Sequence, residues 1–144
     1  MKQRKPMPLH HKVQIACVSP RESRFLLFRV NQQRGGFWQN ITGSVEKNED
    51  HLSAAIREIH EETGLTPNEY NLTQLPLAHR FPTRHFGIIN EQSFVMTFKD
   101  KPKIILSDEH QDCCWYHFHE ILNIQFGYIS NIRSLLFAMG YADV

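Results

Sequence analysis

The chain has 144 residues, with 16 Lys and Arg against 15 Asp and Glu, a formal charge of +1, and 41% hydrophobic against 22% charged residues. That length suits one core rather than two, and the balance excludes a disordered polyelectrolyte. It also excludes a global basic field that coats nucleic acid, so an anionic ligand must be met by a local cation cluster or a metal.

Residues 1–11 read as a loosely packed lead into a single domain spanning 1–144. Residues 13–18 and 25–30 are β-rich runs around the turn Ser19-Pro20-Arg21-Glu22, which predicts a hairpin. A polar loop ends at Gly36, and residues 37–42 alternate large side chains as a strand does before Gly43 interrupts them. Residues 48–63 form the clearest helix, capped by Asn48 or Asp50 and stopped by Gly64. Its predicted buried stripe is Leu52, Ala55, Ile56 and Ile59. Strands are expected over 72–77, 79–86, 93–98 and 114–118, with 80–92 ambiguous. A last helix over 132–139 is expected to be capped by Ser130 or Asn131 and to end at Gly140. Strands flanking a long helix, with a second helix at the end, indicate an α/β layered fold around a mixed sheet.

Three cysteines, Cys17, Cys113 and Cys114, lack metal or redox spacing and read as reduced thiols. No apolar segment follows the basic start, and no run of 18 apolar residues occurs, so the expectation is a soluble cytoplasmic protein without a membrane partner.

Glu58, Glu61 and Glu62 fall at i, i+3 and i+4, on a helix face read as separate from the apolar stripe. By themselves they fit either a solvated acidic face or a site for Mg²⁺ or Mn²⁺, hard cations that take oxygen ligands. The wider pattern decides: Gly43, five residues, Glu49, seven residues, then Arg57-Glu58-Ile59-His60-Glu61-Glu62-Thr63-Gly64-Leu65. Seven fixed and two apolar positions should match by chance on the order of 10⁻⁷. By these residues the chain is identified as a member of the Nudix hydrolase family.

The resemblance implies an α/β/α sandwich around a mixed sheet and a divalent metal, Mg²⁺ or Mn²⁺, bound on a diphosphate to activate water. It implies Glu58 and Glu62 as principal metal ligands, Glu61 as ligand or water-activating neighbour, and Glu49 and Arg57 as the supporting pair. Which glutamate acts as base is left open. The carbonyl of Gly43 is a candidate further ligand, since a residue without a side chain permits close approach. The Arg57 guanidinium can fix carboxylates by bidentate hydrogen bonds.

Within the family, the run Phe37-Trp38-Gln39-Asn40-Ile41-Thr42-Gly43-Ser44-Val45-Glu46 resembles the bacterial dihydroneopterin triphosphate pyrophosphatase branch. Asn90-Glu91-Gln92-Ser93-Phe94 and Glu109-His110 with Trp115 resemble later stretches of the same branch. The chain departs from it at Lys47-Asn48, where Glu-Gly is usual. By that match Glu109 is a candidate metal ligand or general base, and Lys12, Arg29 and Thr42 are candidate substrate contacts. Trp38 or Phe37 could stack on a planar ring, but only one of them can face the site, because strand neighbours point to opposite faces. His117 and His119 lack a third soft ligand for zinc.

The reading is an Mg²⁺-dependent hydrolase that cleaves dihydroneopterin triphosphate or a (d)NTP to monophosphate and pyrophosphate. The alternatives are oxidised dGTP, a nucleotide sugar or an RNA 5′-triphosphate end, or a non-catalytic nucleotide sensor, against which the intact box glutamates speak. The partner is a small nucleoside or pterin triphosphate rather than an extended nucleic acid, and a homodimer is left open.

Overall fold

The computed structural model describes residues 8–98 and 110–140. Strand β1 (Leu9–Ser19) turns through Pro20–Glu22 into β2 (Arg24–Val30), forming the expected hairpin. β1 starts at Leu9 rather than Val13, so part of the presumed loose lead is sheet; its partner strand pairs with it from Leu9 onward. Next come β3 (Trp38–Gln39) and β4 (Ile41–Ser44), split at Asn40, whose N–H donates to Asn131 Oδ1 at 2.8 Å instead of joining a ladder.

Helix α1 (His51–Thr63) is capped by Asp50, whose Oδ1 accepts from Ser53 N at 2.7 Å, and closes on Gly64 at φ 77. The two strands expected over 72–86 are one, β5 (Tyr70–Thr83), with a register shift between Gln74 and Ala78 around Pro76, which has no N–H for the ladder. The ambiguous stretch resolves as a tight turn at Arg84–Phe86 into β6 (Gly87–Phe98), closed by Thr83 Oγ1 donating to Gly87 O at 2.9 Å. Then follow β7 (His110–His117) and helix α2 (Ile129–Ala138).

The strand order is β3-β2-β1-β6-β5, with β4 also on β1 and β7 on β2. β1 and β6 run parallel while the other strand pairs are antiparallel, giving a mixed sheet. β1 is buried continuously from Val13 to Val18 because both its faces are covered. Val13, Ile15 and Cys17 meet Ala54, Ala55 and Ile59 of α1 on one face, and Ala16 and Val18 meet the α2 layer around Leu135 on the other. The layers are those of an α/β/α sandwich. Among the described residues no helix is long and apolar enough to cross a membrane.

Two expectations for the helices fail. Leu52 is 49% exposed, whereas Glu58 and Glu62 are only 7% and 4% exposed and share the buried face of α1 with Ala54, Ala55, Ile59 and Thr63. The apolar stripe and the carboxylates are therefore one face, because Glu62 lies only about 20° from Ala55 around a helix that advances about 100° per residue. The α2 cap is Tyr128, without a side-chain cap bond. Ser130 and Asn131 cannot cap it because the helix starts earlier than expected, at Ile129, and both lie inside its first turn, where Asn131 Oδ1 accepts from Asn40 N.

Candidate active site

β4 runs antiparallel to β1, with Gly43 opposite Val13. A Cβ on Gly43 would lie 1.9 Å from Glu58 Cδ and 2.1 Å from its Oε1, so the missing side chain is the space that the Glu58 carboxyl occupies. The chain then folds back: Glu46 N–H donates to Glu49 Oε1 at 3.0 Å, and Asn48 takes the left-handed φ of 66°.

This turn presents Glu49 to Arg57, which organises the site. Arg57 Nε and Nη2 donate to the two Glu49 oxygens, each at 2.9 Å. Nη2 also donates to the Ser44 carbonyl at 2.7 Å, tying α1 to the end of β4. Nη1 donates to Glu58 Oε1 at 2.8 Å and to the Glu61 carboxylate at 3.2 and 3.3 Å. Only a planar, forked cation can serve so many oxygens at once.

The surroundings separate the carboxylates electrostatically. The Arg57 hydrogen bonds, then the Glu46 backbone, hold Glu49 down at about 2. Glu58 is pushed up to about 7: burial raises it more than the Arg57 bond lowers it, and Glu61 and Glu62 add like-charge repulsion. Arg57 itself is raised, above all by its bond to Glu49, and stays charged.

The Glu58, Glu61 and Glu62 carboxylates line one cleft with Gly43, and such hard oxygen donors are of the kind that Mg²⁺ or Mn²⁺ takes. Among the described residues no three His, Cys, Asp or Glu side chains converge on one point. The reason is local: Arg57 Nη1 holds both Glu58 and Glu61 on itself, and a cation would have to draw them toward the cleft.

That cleft has a volume of about 520 Å³, and its walls bring together Lys12, Thr42, Gly43, Arg57, Glu58, Glu61 and Glu62. Two candidates are elsewhere. Arg29 Nε donates to the Gly36 carbonyl at 3.0 Å and holds the loop between β2 and β3. Trp38 packs in the α2 layer, edge-on to Tyr116 at 5.4 Å, so its strand neighbour Phe37 takes the cleft side. Glu109 lies outside the described residues.

The sequence reading missed Arg34, Glu46 and Tyr128, which also line the cleft. Tyr128 meets Phe37 edge-on at 5.8 Å. The contact depends on Gly127, where a Cβ would come within 2.3 Å of the Phe37 ring. No spacing rule relates residue 128 to the box near residue 43; only the backbone bonds Trp38 N–H to Gln125 O and Gly127 N–H to Trp38 O strap that loop beside β3.

Arg57→Lys should lower kcat by up to about 10²-fold although charge is kept, because an ammonium cannot hold Glu49 in bidentate fashion while positioning Glu58 and Glu61. Wild-type kinetics in that variant would reduce Arg57 to a surface charge. Glu49 gives a pH signature. Its folded value of about 2 is depressed from the ordinary 4.5, so its stabilisation is complete above about 4.5 and is lost as pH falls through about 2. The melting-temperature gap between wild type and Glu49→Gln should therefore shrink across that window; a gap constant down to pH 2 would contradict the ion pair.

Comparison with known proteins identifies the family and the fold. The family model described as NUDIX domain matches residues 9–135. The chain is 39% identical over 128 residues to an RNA pyrophosphohydrolase of Pelagibacter ubique, covering 82% of this chain and 80% of that protein. It is 36% identical over 115 residues to a Myxococcus xanthus protein named octanoyltransferase, covering 76% of this chain but only 31% of that protein's length. The fold matches the E. coli dihydroneopterin triphosphate pyrophosphohydrolase structure with a TM-score of 0.79 at 19% identity, covering 92% of this chain and 96% of that one. With the box residues gathered around Arg57 and a family match running from β1 into α2, the chain belongs to the Nudix family.

Proposed function

We propose that the protein is a divalent-metal-dependent pyrophosphohydrolase that cleaves a nucleoside triphosphate-like substrate, dihydroneopterin triphosphate or a (d)NTP, to a monophosphate and pyrophosphate. The observation that carries this reading is the Arg57-organised carboxylate set beneath a cleft that also holds Lys12 and Arg34. Carboxylates alone would repel a polyphosphate; when bound, Mg²⁺ or Mn²⁺ supplies charge neutralisation and Lewis-acid activation of water.

The chain's own residues do the rest. Lys12 meets phosphate oxygens, and Arg57 keeps Glu58 and Glu61 oriented. One of the box carboxylates accepts the proton of the attacking water as its oxygen bonds to phosphorus and the bridging P–O bond breaks. A second pocket of about 280 Å³, walled by Ala78, Phe81 and Ile129 together with Arg80, Ser130 and Arg133, shares Tyr128 with the cleft. Its apolar walls suit the substrate's heterocycle. His79 lines it with both ring nitrogens buried and, among the described residues, without a hydrogen-bond partner. Glu109 is proposed as an additional base or ligand: Glu109→Gln should lower kcat by roughly 10²–10⁴-fold with KM little changed, and a loss below tenfold would remove it from the catalytic set.

A second reading, removal of pyrophosphate from an RNA 5′-triphosphate end, is favoured by the name of the Pelagibacter relative. One panel separates them: dihydroneopterin triphosphate, the dNTPs, 8-oxo-dGTP, a nucleotide sugar and 5′-triphosphorylated RNA, with pyrophosphate and phosphate measured separately, with Mg²⁺ and with EDTA. Preferred turnover of a small triphosphate with release of pyrophosphate is expected. Full turnover in excess EDTA would overturn the mechanism, and preferred turnover of the RNA would select the second reading.

A further inference from the structure

Glu91 in the middle of β6 has no part in the chemistry above, yet it is a carboxylate only 4% exposed. One rung of the sheet explains its surroundings. His79 of β5 pairs with Glu91, Glu91 with Lys12 of β1, and Lys12 with Ser44 of β4. Paired positions in a sheet share a face, so one line of side chains runs from the second pocket, at His79, to the catalytic cleft, at Lys12.

A buried carboxylate is costly unless it is paired and hydrogen-bonded. Gln14 Nε2 donates to Glu91 Oε1 at 2.6 Å, and His79 Nδ1 stands 4.0 Å from the same oxygen. Burial pushes the Glu91 carboxyl up, while the Gln14 bond, then the charge of Lys12 and a bond with Ser130, draw it back. Burial and the nearby charge of Arg133 push His79 down, which favours its neutral form and leaves Lys12 as the cation on this rung. The anchor reaches the catalytic frame: Gln14 Oε1 accepts from Asn40 Nδ2 at 2.8 Å, and Asn40, three residues before Gly43, is fixed to Asn131 of α2.

We infer that Glu91 is a positioning residue for polyphosphate binding, holding the Lys12 side chain extended along its rung so that the ammonium is already placed over the cleft when substrate arrives. A lysine stem is flexible, and a fixed counter-charge on the adjoining strand, acting through its field rather than through an ion-pair contact, narrows the rotamers that would otherwise be lost on binding. The inference rests on the function proposed above. The alternative is that Glu91 only ties α2 to the sheet.

The test is steady-state kinetics of Glu91→Gln, Lys12→Met and the double variant, on the best triphosphate from the panel with Mg²⁺. Glu91→Gln keeps the shape and an acceptor for Gln14 but removes the charge. KM should rise on the order of tenfold with kcat within about twofold, and the double variant should be no worse than Lys12→Met alone. Ser134→Ala, which among the described residues breaks the neighbouring Ser93–Ser134 bond of 2.9 Å, should lower the melting temperature and leave KM unchanged. A KM in Glu91→Gln that is unchanged or lower, or effects that multiply in the double variant, would overturn the inference and leave Glu91 as an anchor of α2. Should Glu91→Gln fail to fold, Glu91→Asp, which keeps the charge but withdraws it from Lys12, carries the same comparison. If the wild type turns over none of the panel, the proposed function falls. The same variants are then compared by calorimetric binding of inorganic pyrophosphate with Mg²⁺, where the matching pattern of affinities decides for or against Glu91.

Discussion

Glu62→Gln should reduce turnover by roughly 10²–10⁴-fold while the fold survives, the range for losing one positioned charge-bearing group. Glu62 is 4% exposed, on the inner face of α1 that carries Glu58. Tolerance of the change therefore rests on shape: glutamine fills the same volume, so no cavity opens. Electrostatics work in its favour as well, because Glu62 is one of the like charges that raise Glu58, and its neutralisation relieves that repulsion. Circular dichroism and a melting temperature equal to or above wild type in EDTA, together with collapsed kcat in Mg²⁺, are the expected pair of results. Turnover within tenfold of wild type would remove Glu62 from the catalytic set.

Gly43→Ala should be nearly as damaging, for a steric reason. The new Cβ would stand 1.9 Å from Glu58 Cδ and 2.4 Å from its Cγ. Those atoms belong to the far end of a flexible side chain, so Glu58 swings away rather than the backbone moving, and the cost falls on activity rather than on folding. Displacing that carboxyl also takes it off Arg57 Nη1, which held it at 2.8 Å. The expected loss is that of Glu58→Gln, and the Gly43→Ala/Glu58→Gln double variant should be no worse than either alone, because both remove one group. Wild-type kcat in Gly43→Ala, or losses that multiply in the double variant, would show that Gly43 serves the site by some other route than making room for Glu58.

Sequence alone determined what is local in the chain. The spacing from Gly43 through Glu49 to Glu62 is read within one strand, one turn and one helix, and the Arg57 hub follows from it because residues four apart on a helix, and a capping turn eight residues back, are neighbours in any fold that keeps α1. The hairpin of β1 and β2, the Gly64 stop and the layered α/β class are of the same kind. The separate acidic face expected for α1 came from sorting residues by polarity; the helical period itself sets Glu62 about 20° from Ala55, and a buried site needs carboxylates facing the sheet.

Everything that pairs distant segments was decided by tertiary structure. Which of Phe37 and Trp38 faces the cleft depends on the strap from the 124–127 loop, and Arg29 was lost to the Gly36 carbonyl. Tyr128 reaches both pockets only because α2 packs across β1, β5 and β6. The parallel pairing of β1 with β6, separated by about 80 residues, sets Lys12 beside Glu91. Such a contact has no local signal, because its register is selected by burial on both faces of the sheet rather than by any residue's neighbours in the chain.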